Sequence, residues 1–161
     1  MTTARILIVD DDEAIRELLK EFFQDLGYEM TGAANGAEAL TVISQHDFDC
    51  IISDHVMPDM NGLELLERLR EQRKKVPFLM ITGYPTIETA VDVMKRGAYD
   101  YITKPLQLED VRIKVERALH TKGLEKSLKK LSGIAWAILI SIPIWLILGI
   151  ILGKIWRSSL P

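Results

Sequence analysis

The chain has 161 residues and a formal net charge of −3, from 20 basic and 23 acidic side chains. This length allows one globular domain with an appendage, but hardly two domains of ordinary size. The acidic balance argues against a protein built mainly to coat nucleic acid, so we expect no nucleic-acid partner.

Short apolar runs alternate with amphipathic patterns over the first 120 residues. The runs predict five strands, several of them apolar enough to be buried on both faces. The strands lie at residues 5–9, 28–33, 48–53, 78–82 and 98–102. Apolar residues at helical spacing predict five helices between and after them. The helices lie at residues 13–27, 36–45, 63–72, 86–97 and 107–120.

This alternation predicts an α/β fold, in which a parallel sheet is covered by helices on both faces. Ligands of such sheets bind beyond the carboxyl ends of the central strands. The residues at those ends are therefore the candidates for function. They are Asp10, Asp11 and Asp12 after the first strand, Asp54 after the third, Thr82 and Gly83 after the fourth, and Lys104 with Pro105 after the fifth.

Three of these carboxylates, Asp10, Asp11 and Asp54, would crowd negative charge at one rim, which raises pKa values or recruits a cation. Carboxylates with a backbone carbonyl, here that of Val56, and with waters suit Mg²⁺. The three histidines are scattered along the sequence and the only cysteine is Cys50, so we expect no zinc site. Cys50 lies in an apolar run and is expected to be buried.

A carboxylate beside Mg²⁺, an amine and a hydroxyl can accept a phosphoryl group. Asp54 would be the nucleophile and form an acyl phosphate, while Lys104 supplies positive charge and Thr82 donates a hydrogen bond. Each residue also has a plainer interpretation, as a helix cap, a surface lysine or a strand-end threonine. The placement of all of them at one edge favours phosphoryl transfer.

Three segments resemble the response-regulator receiver domain of two-component signalling. They are IVDDDE, SDHVMPDMNG and MITGYPTIETAVDVMKRGAYDYITKP, and the resemblance covers about residues 4–120. It implies a flavodoxin-like fold with strand order 2-1-3-4-5. It also implies that a sensor histidine kinase or a phosphotransfer protein phosphorylates Asp54, with Mg²⁺ as the cofactor.

The resemblance further assigns a conformational switch. In the family, movement of the residue at the position of Thr82 is coupled to an aromatic at the position of Tyr101, which turns inward on phosphorylation. The Lys104–Pro105 bond is similar to one that is cis in the family, which would aim Lys104 at the phosphate. We therefore expect a signalling receiver that catalyses only its own Mg²⁺-dependent phosphorylation and dephosphorylation, and no other enzyme activity.

The region of the fourth helix is especially similar to receivers of sigma-54-dependent transcription activators. No P-loop and no helix-turn-helix follows it in this sequence, so we do not expect the activator function. The face formed by the fourth helix, fifth strand and fifth helix is the expected surface for a partner or for a homodimer.

An apolar segment without charged residues lies at 131–153. Because a helix needs roughly 20 residues to cross a bilayer, this segment predicts a transmembrane helix. More basic residues precede it than follow it, which predicts a receiver domain in the cytoplasm, held at the inner membrane. The predicted organisation is a receiver domain at 1–120, a basic juxtamembrane linker at 121–130, a transmembrane helix at 131–153 and a short tail at 154–161.

Two features of this region leave alternatives open. The lysines of the linker form a solvated helix face or contact anionic lipid headgroups, and the adjacent apolar segment favours the second. Gly149 and Gly153 form a GxxxG pattern, which allows two transmembrane helices to pair, whereas simple anchoring does not require it.

Two other functions fit the same sequence. A phosphate sink would drain a kinase and have no output of its own. A non-phosphorylated scaffold at the membrane would use the fold only for interaction, but it would not need Asp11, Asp54, Thr82 and Lys104 together.

Overall fold

The computed structural model describes residues 3–83 and 86–123. The strands are β1 (Arg5–Val9), β2 (Glu29–Ala33), β3 (Cys50–Asp54), β4 (Phe78–Thr82) and β5 (Asp100–Thr103). The first four helices are α1 (Glu13–Asp25), α2 (Gly36–Gln45), α3 (Gly62–Glu71) and α4 (Ile87–Lys95). A fifth helix, α5, is described over residues 108–123.

The five strands form one parallel sheet in the order β2-β1-β3-β4-β5, which confirms the predicted order and the flavodoxin-like fold. Asp54 pairs with Ile81 across β3 and β4, and Thr82 pairs with Thr103 across β4 and β5. The carboxyl ends of the strands therefore meet at one edge of the sheet.

Two apolar layers cover the two faces of the sheet. Successive strand residues alternate between them: Leu7 and Ile51 belong to one layer, and Ile6 and Ile52 to the other. All four are fully buried, as are most residues of β3 and β4. Burial on both faces explains why these strands are apolar at nearly every position.

The helices begin and end where the sequence supplies caps. Asp12, Asn35, Asn61 and Thr86 are N-caps whose side chains accept hydrogen bonds from backbone N–H groups in the first turn. Gly27 and Gly97 follow α1 and α4 with positive φ angles of 86° and 95°, a conformation that glycine adopts at low cost.

Three of the five strands differ from their predicted bounds. β2 begins at Glu29 instead of residue 28, β3 begins at Cys50 instead of residue 48, and β5 ends at Thr103 instead of residue 102. β3 continues through Asp54, which is its last residue instead of the first residue after it. β5 begins at Asp100, because Ala98 and Tyr99 complete the turn after α4, where the Ala98 N–H bonds to the Val93 carbonyl. Polar residues at strand ends conceal such boundaries from a pattern of apolar residues.

The predicted transmembrane helix at 131–153, most of the linker and the tail lie outside the described residues. Within the ranges given above, no helix has both the length and the apolarity that a bilayer span requires.

Candidate functional site

The carboxyl edge of the sheet brings three aspartates together. Asp10 and Asp11 lie between β1 and α1, and Asp54 ends β3. One carboxylate oxygen from each of the three lies within 4.8 Å of the others. Three negative charges at this separation repel one another unless a cation lies between them.

Asp54 is almost fully enclosed, with 6% of its surface exposed. Its Oδ2 accepts a hydrogen bond of 2.5 Å from Lys104 Nζ, and its Oδ1 accepts a longer one of 3.4 Å from the Val56 N–H. The carboxylate is thus oriented by an ammonium group on one side and by the following loop on the other.

Asp10 is completely buried. Its Oδ1 accepts a hydrogen bond of 2.9 Å from the Asp12 N–H. Its Oδ2 has no hydrogen-bond partner within the described part of the chain, since Lys104 Nζ lies 3.6 Å away. Burial raises the pKa of Asp10 above its ordinary value, and this effect outweighs the hydrogen bond from the Asp12 N–H, which lowers the pKa. An orphaned, buried carboxylate oxygen of this kind suits a cation.

Lys104 is the basic group of the site. Burial lowers its pKa, but the hydrogen bond to Asp54 and the charges of Asp10 and Asp54 outweigh burial, so the net shift of the pKa is upward. Lys104 therefore stays protonated. Its backbone N–H also donates to the Thr82 carbonyl at 2.9 Å, which joins the ends of β4 and β5, and its peptide bond to Pro105 is cis.

Thr82 and Tyr101, the two predicted switch residues, lie apart in the sheet register. Thr82 is buried at the end of β4, whereas Tyr101 lies opposite Met80, two positions before that end. Tyr101 is half-buried, and Lys114 Nζ lies 5.7 Å from the centroid of its ring. The two residues lie on neighbouring strands, and Tyr101 also lines a groove together with residues of α4.

The acidic cluster fits Mg²⁺. It offers hard oxygen ligands from three carboxylates, one of which has an oxygen without a hydrogen bond, and Asp11 is open to solvent. Val56, whose carbonyl is the fourth predicted ligand, is 64% exposed beside the cluster. Waters could therefore complete an octahedral shell.

Sequence reasoning missed the role of Gly62. A Cβ atom built on Gly62 would lie 2.1 Å from the Asp54 carbonyl oxygen and 2.9 Å from Met80 Sδ. Only glycine therefore allows α3 to begin directly against the end of β3. The glycine at the end of SDHVMPDMNG, just before a helical pattern, was the available signal.

Arg16 was also missed. Its Nη1 donates a hydrogen bond of 2.6 Å to the Asp10 carbonyl, from one turn inside α1. The contact fixes the backbone that carries Asp10 and Asp11 and brings a positive charge close to the cluster. No local pattern reveals it, since arginine is ordinary on an amphipathic helix.

Comparison with known proteins gives one consistent family. Residues 6–116 match the response regulator receiver domain. Regulatory protein AtoC of Escherichia coli is 35% identical over 127 residues, which cover 79% of this chain and 28% of AtoC. The DNA-binding transcriptional regulator NtrC of Azospirillum brasilense is 37% identical over 121 residues, which cover 75% of this chain and 25% of NtrC. The chain thus spans about a quarter of the length of these curated relatives.

Solved structures agree. The chemotaxis response regulator CheY4 of Vibrio cholerae aligns with a TM-score of 0.69 and 37% identity, over 73% of this chain and 100% of CheY4. NtrX of Brucella abortus aligns with a TM-score of 0.75 and 35% identity, over 81% of this chain and 30% of NtrX. The likeness therefore covers the whole of one solved chain and less than a third of the other.

Proposed function

This chain belongs to the response-regulator receiver family, and we propose that it accepts a phosphoryl group on Asp54 from a sensor histidine kinase or a phosphotransfer protein. The receivers of NtrC-like regulators take phosphoryl groups from histidine kinases. The observation that carries the proposal is the enclosed Asp54 carboxylate, held at 2.5 Å by Lys104 inside a cluster of three aspartates.

The transfer is a nucleophilic displacement at phosphorus. A carboxylate oxygen of Asp54 forms the new O–P bond, while the N–P bond of the donor phosphohistidine breaks and its electron pair leaves with the imidazole. Asp54 attacks as the carboxylate and has no proton to lose. Lys104 donates to the oxygens on which negative charge accumulates, and Thr82 supplies a further hydrogen bond.

Asp10, Asp11 and Asp54, with the Val56 carbonyl, would hold Mg²⁺. The ion supplies positive charge to the phosphoryl oxygens when it is bound. The chain's own residues hold the nucleophile in place: Lys104 and the Val56 N–H fix the carboxylate, and Gly62 allows α3 to close the loop against it.

We propose that phosphorylation is read out through Thr82 and Tyr101 at the face of α4, β5 and α5. An open apolar groove on this face supports the proposal, because apolar side chains exposed together are typical of interaction surfaces. The groove is lined by Ile87, Ala90, Val91, Met94, Lys95 and Tyr101. A downstream partner or a second copy of the chain would bind there.

Membrane attachment is part of the same proposal. The uncharged segment at 131–153 supports a single transmembrane helix, and the basic linker before it supports a receiver domain on the cytoplasmic side of the inner membrane. Lipid and, through Gly149 and Gly153, a paired helix are the partners expected for that segment. The protein would act there as a signalling module, with no enzyme activity beyond its own phosphorylation and dephosphorylation.

Labelling with acetyl phosphate tests phosphoryl acceptance. We expect the full chain in detergent to incorporate phosphate in the presence of Mg²⁺ and to lose this label in Asp54→Asn. Asp59→Asn is the matched control, because Asp59 is an exposed aspartate in the loop after β3 and at a positive φ that asparagine tolerates. Equal labelling of wild type and Asp54→Asn would contradict the proposal, as would no labelling of either.

A further inference from the structure

Basic side chains gather at the edge of the domain opposite Asp54. Each helix runs antiparallel to the strands, so the ends of α3 and α4 lie at the amino ends of the strands, away from the acidic cluster. We name the group there the α3–α4 basic patch. Its members are Arg70, Arg73, Lys74, Lys75, Lys95 and Arg96.

Hydrogen bonds to backbone carbonyls hold the patch together. The Arg70 guanidinium donates to Gly97 at 2.8 Å, to Lys74 at 2.6 Å and to Val76 at 3.1 Å. Lys74 Nζ donates to the Ile43 carbonyl at 2.9 Å. These acceptors are neutral carbonyl groups, so they do not offset the positive charges of Arg70 and Lys74. The same hydrogen bonds hold the ends of the helices in place.

Three further cations of the patch point into solvent. Arg73, Lys75 and Lys95 are exposed, and none forms an ion pair within the described residues. Arg96 pairs with both Glu67 and Asp92, and Glu71 is a further exposed carboxylate at the end of α3, so three acidic groups offset three of the six basic ones. The patch therefore carries an excess of positive charge on a fixed surface, in a domain that is acidic in total.

The chain leaves the described domain at this same edge. Thr121, near the last described residue of α5, bonds to the hydroxyl of Tyr99, which lies just before β5, at 2.9 Å. Lys122 Nζ donates to the Phe48 carbonyl at 2.7 Å, beside the start of β3. The sequence then continues with the linker lysines and the apolar segment at 131–153.

We infer that the α3–α4 basic patch binds the anionic headgroups of the membrane, so that the Asp54 edge faces away from the bilayer. The inference rests on the proposed membrane attachment. Anionic lipids attract clustered basic residues and repel the acidic cluster, so both ends of the charge distribution favour this orientation. The attraction depends on ionic strength, because these charges are exposed.

Headgroup quenching in vesicles tests the inference on the full chain. A fluorophore is attached at Gln72→Cys, an exposed position within the patch, or at Gln107→Cys, an exposed position beside the Asp54 edge. The vesicles contain a headgroup quencher and either phosphatidylcholine alone or phosphatidylcholine with phosphatidylglycerol. We expect quenching at residue 72 to be about threefold stronger in the anionic vesicles at low salt. Quenching at residue 107 should not change.

Charge-matched variants identify the patch as the cause. The double variant Arg73→Gln and Lys75→Gln should lose most of the effect of anionic lipid. The control Lys20→Gln and Arg112→Gln removes the same charge from α1 and from the first half of α5, away from the patch, and should keep the effect. All four side chains lie at the surface, and the ion pairs of Lys20 and Arg112 are of the surface kind that contributes little to stability.

Several outcomes would overturn the inference. They are equal quenching at residue 72 in both kinds of vesicle, loss of the lipid effect in both double variants, and equal lipid dependence at residues 72 and 107. Acetyl phosphate labelling in the same vesicles tests phosphoryl acceptance independently of lipid binding. Asp54 can be labelled whether or not the patch binds lipid. Failure to bind neutral vesicles would contradict the membrane attachment itself.

Discussion

The role of each residue in the site follows from the groups that contact it. Asp54 is held by Lys104, and Asp10 lies between the charge of Asp54 and the backbone N–H of Asp12. The half-buried Lys104 ammonium is the only basic group that pairs with these carboxylates among the described residues. Removing the Lys104 ammonium should therefore slow phosphorylation, whereas removing the Asp10 carboxylate should stabilise the metal-free protein.

Loss of the Lys104 ammonium should slow phosphorylation. We expect Lys104→Gln to lower the rate with acetyl phosphate about 100-fold, because one donor to the developing charge is gone. The initial rate of phosphate incorporation at saturating Mg²⁺ measures this. Lys20→Gln, on the exposed face of α1, is the control and should keep the wild-type rate. A rate in Lys104→Gln equal to that of wild type would show that the contact with Asp54 has no part in the transfer.

Removal of the Asp10 carboxylate, one of three neighbouring negative charges, should stabilise the metal-free protein. The pKa of Asp10 is raised in the folded state, so the unfolded chain loses this proton first as pH rises, and stability falls until Asp10 ionises in the folded state as well. At neutral pH we expect Asp10→Asn to raise the free energy of unfolding by about 2 kcal/mol.

The same substitution should weaken the stabilisation that Mg²⁺ gives. Urea unfolding with and without Mg²⁺ measures both effects. Asp12→Asn keeps an equally good N-cap and serves as the control, with the Mg²⁺ response of the wild type. An unchanged Mg²⁺ response in Asp10→Asn would remove Asp10 from the proposed ligand set.

Cys50 should make stability fall at alkaline pH. Burial raises the pKa of its thiol to about 12, whereas an unfolded thiol ionises near pH 8.5. Between these values the unfolded chain has released the proton and the folded chain retains it. The free energy of unfolding should therefore decline with pH, by up to about 1.4 kcal/mol per pH unit from this group. Cys50→Ala should reduce that slope in urea titrations, and an identical slope would contradict the burial of the thiol.

Elements of secondary structure position the site through their ends. α1 begins at Asp12, directly after two of the aspartates, and α3 begins at Gly62, against the carbonyl of the proposed phosphoacceptor. The helices thus fix the loops in which the chemistry lies. A substitution at such a helix end should disturb the sheet edge and not only the helix.

Gly62→Ala should destabilise the protein, whereas Gly83→Ala should not. The added methyl group would lie 2.1 Å from the Asp54 carbonyl oxygen, whereas a methyl group on Gly83 meets nothing within 4 Å. We expect Gly62→Ala to lower the free energy of unfolding by about 2 kcal/mol and to slow phosphorylation, since α3 must move away from β3. Chemical denaturation of both variants measures the difference. Equal stability of the two would show that α3 does not begin in close contact with β3.

At the scale of the whole molecule, the fold was predictable because it depends on a repeating pattern. Apolar runs such as 5–9 and 78–82 agree with the strands to the residue, and the resemblance supplied the strand order. Ligands of parallel sheets bind beyond the carboxyl ends of the strands, and this rule predicts that Asp10, Asp54 and Lys104 share one site. These features follow from the period and order of residues along the chain.

Other features depend on three-dimensional proximity and had no local signal. The contact of Arg16 with the Asp10 carbonyl and the network of Arg70 join residues that no periodicity relates. The basic patch likewise appears only when the ends of α3 and α4 are brought together. The segment at 131–153 remains a prediction, because it lies outside the described residues.

Chemical identification of the phosphorylated residue tests the central claim most directly. The full chain is treated with acetyl phosphate and Mg²⁺, and borohydride then reduces any acyl phosphate to the alcohol, which converts aspartate to homoserine. We predict that peptide mass spectrometry will find homoserine at position 54 in a Mg²⁺-dependent amount, and aspartate at positions 10, 11 and 59. Homoserine at another position, or unmodified Asp54 under these conditions, would contradict the account.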